Sequence, residues 1–147
     1  MVHTTSFAAA LVSTLLLGTQ ALGINCRGSA LCSSFLNGAV TGNEVETLAQ
    51  WIQGVEKDGV KTQGVDVNRF YKNGEQIACY ERSHICVFLQ NTNGAQGSKI
   101  KELAKYVDDH GCKTCGSVPT DYPNSNNVKN GELTFNYVTK SCGNGLC

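Results

Sequence analysis

The sequence predicts an α+β fold: an antiparallel sheet with two helices packed on one face, stapled by disulfides. Three observations carry that expectation. Two segments repeat apolar residues at helical spacing. Short runs with strand patterning lie between and after them, without the regular strand–helix alternation of a parallel sheet. Eight cysteines run from Cys26 to Cys147, an even number behind what reads as a secretory leader.

The leader spans residues 1–21. Phe7 to Leu17 is mostly apolar, and Thr19-Gln20-Ala21 places small residues where a signal peptidase reads. Ser13 and Thr14 interrupt the apolar run, which is too short to cross a bilayer of roughly 30 Å. Cleavage is expected after Ala21, with Gly23 as the alternative, leaving a single domain over 22–147 that can bury a core.

Ile24 to Arg27 is a short extended start, and the glycines and serines of 28–42 read as loop. Asn43 then suits an N-cap, with Glu46 placed as in a capping box. Val45, Leu48, Ala49, Ile52 and Val55 form one apolar stripe, which predicts a helix over Glu44 to Lys57 with Gly59 at its exit. Val65, Val67, Phe70 and Tyr71 read as a strand leading to Asn73-Gly74, a strong hairpin signal. Ile77 to Tyr80 and His84 to Gln90 read as neighbouring antiparallel strands. A second helix begins near Ser98, with Ile100, Leu103, Ala104 and Val107 as its stripe and Gly111 as its cap. Residues 120–131 form a polar loop. Leu133, Phe135 and Tyr137 alternate onto one face of a last strand, and Gly143 to Gly145 make the tail flexible.

The cysteines bound the chemistry. Cys112-x-x-Cys115 follows a helix rather than opening one, so no helix dipole lowers a thiol pKa as in a redox pair. A zinc site needs a second close ligand pair, and Cys26 and Cys32 are poorly spaced for it. A bridge between Cys112 and Cys115 would constrain little of the unfolded chain. The expected bridges are Cys26–Cys112 and Cys32–Cys115. Cys79, Cys86, Cys142 and Cys147 supply two more, in an order the spacing leaves open.

Twelve basic and 12 acidic residues leave no net charge, which argues against nucleic acid or an anionic membrane as a partner. No segment of the mature chain can span a bilayer. No hydrolase or nucleotide-binding motif is present. Asp108 and Asp109 are neighbours on a helix and point apart, as a solvated face does. Trp51 reads as packing rather than a sugar-stacking platform, and His110 as a helix-end cation. Neither a cofactor nor a metal is expected. Lys72 and Arg82 are the candidate target-binding residues, provided that hairpin geometry brings them together.

Three motifs carry a family resemblance. Leu22-Gly23-Ile24-Asn25-Cys26-Arg27-Gly28-Ser29 with Cys32, His110-Gly111-Cys112-Lys113-Thr114-Cys115-Gly116-Ser117, and Gly131-Glu132-Leu133-Thr134-Phe135-Asn136-Tyr137-Val138 with Cys142 resemble, in order, segments of the fungal killer toxins typified by a smut-fungus viral toxin. The resemblance implies a small secreted α/β sandwich with no enzymatic activity. It implies inhibition of target cells through a cell-surface protein, a calcium channel in the type member. Relatives are read as antifungal toxins or as effectors that disturb plant growth. The protein is expected to act as a monomer. The chain departs from the type member in having eight cysteines rather than ten, with Cys86 and Cys147 as additions. It is neutral where the toxin is basic. It also carries Ile77 where the toxin has a functionally important lysine.

Overall fold

The computed structural model describes residues 23–147; the expected leader lies outside them. Among the described residues two α-helices, α1 (Glu44–Gln53) and α2 (Gly97–Asp109), accompany seven strands. These are β1 (Phe70–Tyr71), β2 (Gln76–Tyr80), β3 (Ile85–Gln90), β4 (Ala95–Gln96), β5 (Gly116–Pro119), β6 (Glu132–Tyr137) and β7 (Gly145–Leu146). Five of them form one antiparallel sheet in the order β5-β6-β3-β2-β7, while β1 and β4 pair separately. The fold is α+β, as the patterning predicts.

Alternation decides which face of the sheet is covered. Ile85, Val87 and Leu89 of β3 and Leu133 and Phe135 of β6 point to one side and are buried. Val45, Leu48 and Ile52 of α1 and Ile100, Leu103 and Val107 of α2 close over them in one continuous core. Each such side chain contributes about 1.5–3 kcal/mol relative to exposure. Trp51 is fully buried among them and stacks on Tyr80, centroids 5.7 Å apart.

α1 stops at Gln53, short of Lys57, because Gly54 takes a left-handed conformation (φ 93°) and Val55 N–H closes back on the Gln50 carbonyl at 2.8 Å. A Cβ at Gly54 would lie 2.8 Å from the Gln63 carbonyl oxygen, so only glycine fits. Val55 consequently leaves the stripe and is exposed. The start also differs from the capping box. Asn43 makes no side-chain cap. Instead Glu44, wholly buried, accepts from the N–H groups of Thr41 (2.6 Å) and Gly42 (2.9 Å), placing a carboxylate at the positive end of α1.

Asn73-Gly74 does not close a two-residue hairpin. The 65–71 segment gives its hydrogen bonds to the helices: Val65 N–H reaches Ile52 O at 3.1 Å, and the Arg69 carbonyl accepts from Gly97 N–H at 2.8 Å. Tyr71 therefore pairs with Ala95 of β4, and Gly74 N–H donates to Leu89 O at 2.8 Å as the chain enters the main sheet. The tail is likewise ordered where glycines suggest freedom. Gly145 pairs with Cys79, Leu146 with Ala78, and Cys147 N–H reaches Ile77 O at 2.9 Å.

Candidate target-binding surface

The two cations singled out from the sequence do not meet. Lys72 precedes β2 and Arg82 follows it, so a five-residue strand rising about 3.3 Å per residue separates them. At the Lys72 end, Glu75 is already engaged. It pairs with Arg69 and accepts from Lys72 N–H at 2.9 Å, and the Arg69 guanidinium lies 4.3 Å from the Tyr71 ring centroid.

Arg82 has different surroundings. It sits in the β2–β3 turn, exposed and without an ion pair among the described residues. His84 N–H closes that turn on Glu81 O at 3.2 Å, and His84 takes φ 57°. Beside Arg82 is a shallow pocket of about 390 Å³, lined also by Asp58, Tyr80, Glu81 and Asn144. Burial, and then the nearby Asp58 carboxylate, hold the Tyr80 phenol above its ordinary pKa.

The neighbouring loop was not signalled by composition. Residues 28–42 read as a glycine- and serine-rich loop, yet within them Phe35 is 91% exposed and Leu36 56%. The loop is braced at both ends. Asn37 N–H and Leu36 N–H return to Ser33 O at 2.9 and 3.1 Å. The Asn37 amide then donates to Leu31 O (3.2 Å) and to Ser83 O (2.9 Å). That second bond joins the Phe35 loop to the turn carrying Arg82. An aromatic, an aliphatic and an unpaired arginine thus share one end of the molecule, the side-chain types that dominate protein–protein recognition. A usable signal was Phe35-Leu36 itself, an apolar pair with no periodic partner.

All eight cysteines are bonded. Cys26–Cys112 and Cys32–Cys115 form as the loop-length reasoning favours, with Cα separations of 5.0 and 6.0 Å. The remaining bridges are local. Cys79 and Cys86 stand directly opposite one another on β2 and β3, and Cys142 bonds Cys147. The sulfurs of Cys79, Cys142 and Cys147 gather within 4.8 Å, but bonded as disulfides they offer no thiolate to a metal.

The Asp108 and Asp109 carboxylates are not a matched pair. Asp109 accepts from Lys105 Nζ at 2.6 Å, whereas burial, followed by Glu46 and Asp109, raises the Asp108 pKa.

Comparison with known proteins places this framework. The Kp4 family model matches residues 8–139. The chain belongs to the Kp4 family. It is 32% identical over 145 residues to the KP4 killer toxin of Ustilago maydis P4 virus, covering 97% of this chain and 96% of that protein. It is therefore a killer-toxin-like protein. In this Kp4 chain Ile77 is 1% exposed and packs in the core. That buried position thus has no room for a solvated cation. Among the described residues no helix is long and apolar enough to cross a membrane.

Proposed function

We propose that the protein is secreted and inhibits the growth of target cells as a monomer, by occupying a protein at their surface, with a calcium channel as the target and no catalytic step. The braced Phe35–Leu36 loop beside Arg82 carries this reading. An apolar loop with a braced backbone and an adjacent cation loses little backbone freedom on binding and fits a surface pocket with an acidic rim. Four disulfides suit an oxidising compartment, and Kp4 membership supports the toxin class.

The test is growth of fungal and plant-root cells with purified protein, alongside calcium influx. Inhibition that added calcium reverses is expected. Phe35→Ala should weaken inhibition about tenfold, the effect of losing one interface anchor. Inhibition unchanged in both Phe35→Ala and Arg82→Glu would rule this surface out.

The burial of Ile77 and the neutral net charge favour a second reading, a secreted effector that binds a host protein without toxicity. Under that reading cell growth is unaffected, while Phe35→Ala still abolishes capture of the host protein.

A further inference from the structure

Across the molecule from Arg82, the turn after β3 meets the segment before β2 and the turn before β6. Two adjoining shallow grooves open there, of about 250 and 620 Å³, sharing Asn73 and Asn91. No charged side chain lines either one. The lining is dominated by side-chain amides, above all Asn73, Gln90, Asn91, Asn93 and Asn130, with Phe88 beneath. From this geometry we infer a binding site for an uncharged carbohydrate, a neutral polysaccharide of the kind that forms a cell wall.

The amides are largely unspent. Asn91, Asn93 and Asn130 make no side-chain hydrogen bond among the described residues. Asn73 accepts from Thr92 N–H at 3.3 Å and Gln90 accepts from Thr134 Oγ1 at 2.9 Å, which leaves both NH₂ groups free to donate. A primary amide offers two donors and an acceptor in one plane, complementary to the paired hydroxyls of a pyranose ring. The absence of lining charge disfavours phosphate, nucleic acid and metal ions, each of which needs a charged partner.

Phe88 lies on the sheet face away from the helices, opposite Gln76, and is partly exposed. An aromatic in that position can take the apolar face of a sugar. Trp51 cannot, being fully buried.

The site is also preorganised. Asn91 holds a left-handed conformation at φ 55°. Gly131 (φ 118°) lets its turn close on Thr92, because a Cβ there would come within 2.7 Å of the Thr92 Cβ. Gly74 N–H ties the third segment to Leu89 O at 2.8 Å. The openness of both grooves suits a long polymer reached from the side rather than an enclosed small molecule.

The test is co-sedimentation of the purified protein with washed chitin, β-1,3-glucan, cellulose and immobilised mannan, in the absence of cells. At least one polymer should deplete the supernatant, and soluble oligosaccharide from that polymer should compete. Asn91→Gly, which suits the left-handed backbone, combined with Asn93→Ala should weaken retention about tenfold. Phe88→Leu, which keeps apolar bulk under the groove, should weaken it similarly. Arg82→Glu should retain the polymer as the native protein does. Failure of all four polymers to bind, or equal retention by the native protein and both groove variants, would overturn the assignment. Neither result depends on growth inhibition, so the proposed toxin activity stands or falls separately.

Discussion

Cys79 Sγ lies 3.9 Å from Cys147 Sγ, although the two belong to different disulfides. β7 creates this proximity by pairing with β2, which sets Gly145 opposite Cys79. Removing one cysteine should therefore rearrange the others. In Cys86→Ser the freed Cys79 thiolate can attack Cys147 Sγ. The Cys79–Cys147 bond forms, the Cys142–Cys147 bond breaks, and Cys142 departs as a thiolate. Peptide mapping should detect Cys79 joined to Cys147. A Cys142–Cys147 bridge that stays intact beside a free Cys79 would contradict this.

The four bridges should differ in worth. Cys26–Cys112 closes a sequence separation of 86 and Cys142–Cys147 one of 5. With Cys32–Cys115 intact, however, Cys26–Cys112 closes a ring of only about ten residues, so the chain-entropy relation predicts a loss of about 2.5 kcal/mol for that pair alone, about 2 kcal/mol for Cys142 and Cys147, and at least about 4.5 kcal/mol when both long bridges are changed to serine. Urea denaturation should show the variant lacking both long bridges with the markedly lowest midpoint.

Ile77→Lys should not restore a toxin-like lysine. The side chain is 1% exposed within the core, so an ammonium there is either desolvated or neutralised. A loss of about 3–5 kcal/mol is expected, visible as a lowered melting temperature with no gain in growth inhibition.

Asp108 has a pKa raised chiefly by burial, then by Glu46 and Asp109. A raised acid binds its proton more tightly in the folded chain than in the unfolded one. Stability therefore falls as pH climbs from the ordinary carboxylate range through the folded pKa, and the cost persists at neutral pH. Asp108→Asn should raise the thermal midpoint at pH 7 and leave it unchanged near pH 3. An equal shift at both pH values would point to packing instead of charge.

The parts of the fold legible in the sequence are those where local pattern and tertiary packing agree. Leu48, Ile52, Ile100 and Leu103 sit on stripes that the core uses directly. Leu133 and Phe135 alternate as a half-buried strand must. The illegible parts are those where neighbours override local preference. Gly116–Pro119 forms an edge strand because Ser117 and Val118 pair with Thr134 and Leu133, although glycine, serine and proline are poor strand formers. Asn73-Gly74 has hairpin chemistry, but its intended partner strand is held by α1 and α2. The separation of Lys72 from Arg82 follows from that same diversion. Phe35 and Leu36 carried no periodicity to mark them, and the asparagines of the groove come from three loops that only the folded sheet brings together.

The two long bridges enclose residues 33–111, so a protease that nicks the chain there leaves both pieces covalently joined through Cys26–Cys112 and Cys32–Cys115. No bridge spans 116–141. A single cut in the 120–131 loop would leave β6 and the tail held by strand pairing and core packing with no covalent link, and β6 is the strand that joins β5 to β3. In a protease-rich milieu the lifetime of the particle is therefore governed by one surface loop, and shielding that loop would prolong it more than adding another cross-link elsewhere.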